Sequence, residues 1–422
     1  MTARTGALAP LRHRSFRWYF ASRTINLVGG TMAPVALAFA VLEVSHSPGA
    51  LGLVLAAHSI PMVAFVLLGG VIADRFGRTR VIQVGNVASG LSQLAIATLV
   101  ISGHAQVWHL VALTAVNGTV AAANQPALAS LMPQLVPRAE LQQANVLNSM
   151  LRNTFAVLGP AIAGGLVVTA GPGWALAVDG ATYLVAAALL LPIALPPAER
   201  KERTGVVADL REGWTFVRST TWLWVVVLSF GVLNALHAGG LDTLGPVRAK
   251  ESALGAAGWG LIGSATAAGL LLTALVFTRV RLERPLFWGM LGCAAFGLPM
   301  LALGTTDQLW IVLVAAFVAG AGIEVFGLGW DLSMQEHVPE EMLSRVYSYD
   351  MLGSFVAIPI GQLAFGPLGL VVGVQTMMLV AGVAYATICL LVLLCSPSVR
   401  NLRRVPVVAA GSPVSTTSAP VS

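Results

Sequence analysis

Charged side chains are scarce in this sequence. They make up 10% of the 422 residues, whereas soluble domains average about 25%, so they are too few to cover the surfaces of several soluble domains. Apolar residues make up 56%, the mean hydropathy is +0.81, and many apolar runs reach the roughly 20 residues that cross a bilayer. The composition predicts a polytopic membrane protein and argues against a secreted protein, a nucleic-acid binder or a soluble enzyme.

Residues for catalysis and cofactor binding are also sparse. The three cysteines have no CxxC spacing, so neither a disulfide framework nor a metal site is predicted. Neither of the two lysines, Lys201 and Lys250, follows a glycine, which excludes the GxxxxGK[ST] loop that holds nucleotide phosphates. HExxH and GxSxG motifs are absent as well. We therefore predict no enzyme activity and no cofactor, and any transport is expected to run downhill or to use an ion gradient.

The apolar runs predict an all-α protein with twelve membrane spans. A polar interruption at 196–221 separates two six-helix bundles, 1–195 and 222–396, and it contains a short amphipathic helix expected to lie on the inner leaflet. Residues 397–422 form a low-complexity tail that is predicted to be disordered. The spans are expected at about 16–42, 51–73, 81–102, 107–132, 144–170, 174–195, 222–247, 256–279, 286–304, 309–334, 347–369 and 372–395.

Arginine is unevenly distributed between the two ends of these spans. If the N-terminus is cytoplasmic, 20 of the 24 basic residues lie on that side, as the positive-inside rule requires. The net charge of +6 therefore needs no nucleic-acid partner. We expect a multi-pass protein of the cell inner (plasma) membrane, monomeric and in contact with lipid, with both termini in the cytoplasm.

The two halves share a repeated pattern. Leu131–Pro137 parallels Ser333–Pro339, and at the same offset of 202 residues Gly159 matches Gly361. A parallel repeat of six-helix units predicts a shared site near the membrane midplane that opens alternately to each side.

The loop between spans 2 and 3 carries a charged motif. It reads GVIADRFGRT over 70–79 and resembles the major facilitator superfamily signature G-x-x-x-D-R-x-G-R-[RK], with Thr79 in place of the last basic residue. The resemblance implies the major facilitator fold and a conformational latch in which Asp74 faces the start of span 11, where Asp350 is a further candidate. An ordinary cytoplasmic turn is the alternative. The latch residues implied by the motif are Gly70, Asp74, Arg75, Gly77 and Arg78.

Span 5 contains a second motif. Gly159, Pro160, Gly164 and Gly165 are similar to the antiporter motif G-P-x-x-G-G of drug exporters, with one extra residue. The alternative is a bendable, closely packed helix without a family role, because proline removes a backbone donor and small residues let helices approach.

The resemblance extends over nearly the whole chain, to the drug:proton antiporter branch that includes macrolide efflux proteins and the enterobactin exporter. Two positions differ from many members of that branch. Gly30 stands where they carry an acidic residue, and Ala156 stands where they often carry arginine. Those two positions therefore give no basis for inferring proton coupling from the family.

Ionisable side chains within spans are costly and are therefore functional candidates. Glu324, about fifteen residues into span 10, is the candidate proton-linked carboxylate, with Arg23 expected nearby and Asp179 as a further proton-coupling candidate. A structural role within a bundle is the alternative for each. Candidates for a polar cavity lining are Asn26, His58, Asn117 and Asn234, and candidates for an apolar lining are Phe39, Phe65, Trp259 and Phe326.

The sequence favours a secondary transporter that exports amphipathic small molecules, such as a drug, an antibiotic or a secondary metabolite, in exchange for protons by alternating access. Export or import of one specific metabolite, such as a siderophore, a lipid or a nutrient, is an alternative. A non-transporting membrane sensor or scaffold is a second alternative, although the short loops and the tail offer no signalling domain.

Overall fold

The chain is organised around twelve long helical segments. The computed structural model describes residues 8–137, 140–193, 206–277, 280, 282–339 and 342–404. In chain order the segments are α1 (Arg14–Ser45), α2 (Pro48–Phe76), α3 (Arg78–Ile101), α4 (Val107–Leu131), α5 (Leu141–Ala170), α6 (Pro172–Leu189), α7 (Thr221–Glu251), α8 (Gly255–Phe277), α9 (Pro285–Thr305), α10 (Leu309–His337), α11 (Leu343–Phe355 with Ile358–Val372) and α12 (Val374–Cys395).

The predicted all-α fold with twelve spans is confirmed. Among the described residues, 11 helical segments are long and apolar enough to cross a membrane, and α4, with 25 residues, is the twelfth. Most helices extend a few residues past the predicted spans because an α-helix continues beyond the hydrocarbon core until a glycine, a proline or a cap ends it.

Four of the segments are interrupted, and each has a proline just after the interruption. The first part of α1 ends at Gly30, four residues before Pro34, and the first part of α11 ends at Phe355, four residues before Pro359. A 3₁₀ turn begins four residues before Pro299 in α9. Proline cannot donate to the carbonyl four residues earlier, and its ring collides with that carbonyl. In α7 the irregular stretch is a π-helical turn, Ala238–Thr243.

The first six helices pack mainly among themselves, as do the last six. Contacts between the two halves are made by α2 with α11 and by α5 with α8, together with a smaller contact between α1 and α7. A short helix, Val206–Ser219, precedes α7 and packs against the start of α11, where Gly213 lies against Arg345 and Tyr349. We call the end of the molecule that carries this linker helix the linker end, and the opposite end the far end.

Small residues bring the two halves into backbone contact near the far end. A Cβ on Gly260 of α8 would collide with the carbonyl oxygen of Pro160 on α5, and one on Gly164 would reach the backbone of Ala256. Gly52 of α2 lies in the same way against the carbonyl of Gln362 on α11. The span 5 motif therefore contributes residues to this contact.

Replacing Gly164 with valine tests this contact, with Gly165→Val as the matched control on the same helix. A Cβ at Gly165 meets no atom within 4 Å, so both variants carry the same cost in helix propensity and only one of them collides. Overpacking of this kind costs about 1–3 kcal/mol. We expect a lower thermal unfolding midpoint for purified Gly164→Val than for Gly165→Val, and equal midpoints would contradict the proposed contact.

Candidate functional site

An acidic stripe on α10 faces the space between the two halves. Glu324, Gly327 and Asp331 share one helical face by their spacing. The opposite face carries Gly322 and Gly329, which pack against the backbone of α9. On the stripe, Glu324 is half-buried, Asp331 is exposed, and a Cβ at Gly327 would project into open space. Neighbouring helices therefore leave this face partly uncovered.

The positive charge that acts on Glu324 comes from the other half of the molecule. It belongs to Arg152 on α5, and Asp331 adds a repulsive contribution. Arg152 is exposed and lies 11 residues after the first residue of α5, and Glu324 lies 13 residues before the last residue of α10. At 1.5 Å per residue, both side chains are about 16–20 Å from the linker end of their helices. They are thus at similar depth, on helices of different halves.

Arg23 does not occupy the position that the sequence led us to expect beside Glu324. It acts instead on Tyr19 and Tyr183 within the first half. With Asn26 and Asn86 it lines a small cavity of about 20 Å³ between α1, α3, α4 and α6, which is room for about one water molecule. The sequence of α1 does not show which of its side chains face the same bundle and which face the other half.

Asp179 is completely buried within the first half, where it belongs to a polar cluster. Gln93 of α3 donates from Nε2 to its Oδ2 at 2.6 Å, and Asn117 of α4 donates to Gln93 Oε1 at 3.4 Å. Gly29 of α1 packs directly against the Asp179 backbone. The structure thus joins Asp179 and Asn117 through Gln93, a residue that the sequence analysis missed among the several polar side chains of α3.

Asp350 and Asn234 are bound within the second half. Asp350 accepts from Trp330 Nε1 at 3.1 Å and from Ser354 Oγ at 3.0 Å. Asn234 of α7 donates to the Ser354 carbonyl at 2.8 Å, so it ties α7 to α11. His58, the remaining polar candidate, is half-buried on α2 with its backbone against Gly118 of α4.

Comparison with known proteins agrees with this architecture. A sequence model of the Major Facilitator Superfamily matches residues 19–361. The chain belongs to this superfamily. It is therefore a multi-pass membrane transporter.

Several proteins in this superfamily are similar to the chain over most of its length. The MFS-type transporter YfiS of Bacillus subtilis is 24% identical over 387 residues, covering 89% of this chain and 90% of YfiS. The enterobactin exporter EntS of Citrobacter koseri is 25% identical, covering 95% and 96% of the two chains. The EntS of Escherichia coli O6:K15:H31 is 26% identical, also covering 95% and 96%.

Solved structures share the fold at low sequence identity. A POT family transporter in complex with 5-aminolevulinic acid has a TM-score of 0.74 at 13% identity, covering 92% of this chain and 97% of that one. A bacterial homologue of the lysosomal transporter Spinster, in an inward-facing conformation, has a TM-score of 0.68 at 15% identity, with coverages of 93% and 98%.

The predicted latch of this major facilitator chain lies at the linker end. Gly77 joins α2 to α3 with φ of +89°, a conformation that glycine adopts without the strain of a side chain. Arg75 is exposed with its guanidinium 5.6 Å from the ring centre of Phe76, and Arg78 is the first residue of α3. The side chain of Asp74 lies outside the described residues, so its predicted place opposite span 11 stays a prediction, as does that of Gly70.

A lysine ties the two halves together at the far end. Lys250 of α7 donates from Nζ to the Leu42 carbonyl in the last turn of α1 at 2.6 Å, and Glu43 attracts the same ammonium group. The neighbouring Arg248 instead binds Asp307 and the Leu303 carbonyl within the second half. The sequence placed Lys250 in a loop, whereas α7 continues to Glu251 and directs the lysine at α1.

Loss of this tie is expected to open the far end. A hydrogen bond to a charged group contributes about 1.5–3 kcal/mol, so Lys250→Gln should shift the conformational equilibrium about tenfold or more. Spin labels on cysteines at His104 and Gln308, one in each half at the far end, report the separation in a background where the three native cysteines are alanine. We expect more of the long-distance population in Lys250→Gln and a native distribution in Lys250→Arg. Identical distributions in wild type and Lys250→Gln would rule out the tie.

Proposed function

We propose that this transporter exports amphipathic small molecules in exchange for protons. The charges of Glu324 and Arg152 carry the proposal, because Arg152 acts on Glu324 from the other half of the molecule at similar depth. A carboxylate that gains or loses a proton there changes the attraction between the halves. This is the coupling that an ion-driven transporter needs.

The arginine distribution favours a cytoplasmic linker end. On that assignment, the backbone contacts of α2 with α11 and of α5 with α8, together with Lys250, close the extracellular side. The structure then corresponds to a state that opens to the cytoplasm, in which an exporter takes up its substrate.

A cycle follows from electrostatics alone. When Glu324 is ionised, Arg152 attracts it and favours closure of the cytoplasmic side, which carries bound substrate outward. When Glu324 takes up a proton from outside, that attraction is lost and the cytoplasmic side reopens. The proton is then released inside, so each turn moves substrate and proton in opposite directions.

The names of the relatives support export and suggest a first substrate. Two similar proteins are named enterobactin exporters and match this chain over 95% of its length. Enterobactin is therefore the first compound to test, beside an amphipathic dye such as ethidium. Flux of enterobactin alone would favour the specific-metabolite alternative over broad drug export.

The proposal is tested with purified protein in liposomes under an imposed pH gradient. We expect Glu324→Gln to lose gradient-driven flux, because the amide can neither ionise nor pair with Arg152 as a carboxylate does. It should retain exchange of labelled for unlabelled substrate, which requires no proton. Glu283→Gln is the matched control, since Glu283 is an exposed carboxylate outside the cavity at the linker end. Gradient-driven flux at the wild-type level in Glu324→Gln would exclude Glu324 as the coupling group.

A further inference from the structure

Asp242 is an accessible carboxylate in an otherwise buried stretch of α7. Every other residue from 238 to 249 is buried, whereas the Asp242 side chain is 50% exposed. It lies eight residues before Lys250, which places it about 12 Å along the helix from the far-end tie. The space that exposes Asp242 is therefore beneath the closed end, within the molecule.

The local backbone explains this placement. Pro246 has no N–H to donate to the Asp242 carbonyl, and the helix widens into a π-helical turn at Ala238–Thr243. The other faces of the turn are occupied, with Gly239 against Phe365 of α11 and Gly240 against Met300 of α9. The turn thus directs Asp242 away from its neighbours in the second half.

Two ring systems flank the carboxylate. His237 Nε2 lies 3.6 Å from Asp242 Oδ1, and its ring stacks on Phe296 with centroids 4.6 Å apart. Gly245, three residues after Asp242 on the same face, is covered by the indole of Trp259 from α8. A larger residue at Gly245 would displace that indole. The imidazole thus lies beside the carboxylate, and the indole covers the next turn of the same helix face.

We propose that Asp242 binds the protonated amine of a transported molecule, with the indole of Trp259 against the same cation. A carboxylate in an apolar cavity attracts a cation strongly because water screens it less there, and an indole face adds cation–π attraction. In the structure the His237 imidazole is the group beside the Asp242 carboxylate, and the amine binds on the side that His237 leaves open. The inference rests on the proposed transport function and assigns a substrate class to its cavity.

The test measures binding to the purified full-length protein without any gradient. The probe is dansylcadaverine, whose free amine is protonated, and its neutral partner is the N-acetylated compound. Dansyl fluorescence anisotropy gives both affinities. We expect wild type to bind the amine about tenfold more tightly than the acetylated compound, as one charge-assisted hydrogen bond allows. Equal affinities in wild type would overturn the proposal.

Variants show which residues cause the preference for the amine over the acetylated compound. Asp242→Asn should bring the two affinities to near parity while binding of the acetylated compound stays unchanged, which also confirms that the variant is folded. Asp242→Glu should keep most of the preference, and Trp259→Leu should reduce it more than Trp259→Phe. Glu251→Gln removes an exposed carboxylate from the same helix and should leave the preference for the amine unchanged. A preference that survives Asp242→Asn, or that Glu251→Gln removes equally, would overturn the site.

This experiment separates the two proposals. Binding without a gradient is independent of proton coupling, so a protein that fails to use a pH gradient can still prefer the amine. Conversely, a protein with gradient-driven export and no amine preference would support the transport function and refute the Asp242 site.

Discussion

The backbone contact between the two halves at the far end is the constraint on which the rest of the structure depends. Helices α5 and α8 meet there without intervening side chains, with Gly260 against Pro160 and Gly164 against Ala256. Such close approach gains dispersion contacts that lipid chains cannot replace. Because the halves meet there, the polar and charged groups farther along the same helices are arranged around a shared space rather than around a continuous core.

Ionisable groups within the spans fall into two classes with different environments. Asp350 accepts hydrogen bonds from Trp330 and Ser354 inside its own half. Asp179 accepts one from Gln93, and its other carboxylate oxygen is buried without a partner among the described residues. Glu324 is half-buried and the Asp242 side chain is 50% exposed. The proposed cycle assigns proton exchange and ligand binding to the second class.

The sequence predicts the helices better than it predicts their rotation. Apolar run length located the twelve spans, and the prolines at 34, 299 and 359 mark the interruptions because their effect is local. The charge that acts on Glu324 depends on which face of α5 is turned toward α10, and hydropathy does not encode that rotation. Asp242 was missed because it lies near the end of a predicted span, where a carboxylate is expected to belong to a loop. The structure shows that α7 continues to Glu251.

The two ties between the halves act in opposition. Lys250 binds the Leu42 carbonyl across the far end, and in the proposed cycle the attraction of Arg152 for Glu324 favours closure of the linker end. Both conformations are populated only if these contributions differ by a few kcal/mol, since a larger gap would trap one state. A lysine bound to a backbone carbonyl biases the conformational equilibrium by a constant amount. A carboxylate opposite an arginine biases it by an amount that depends on protonation. One tie of each kind therefore lets a proton shift the equilibrium. In the proposed cycle, this asymmetry between a fixed tie and a titratable tie is what turns a proton gradient into directed motion of the two bundles.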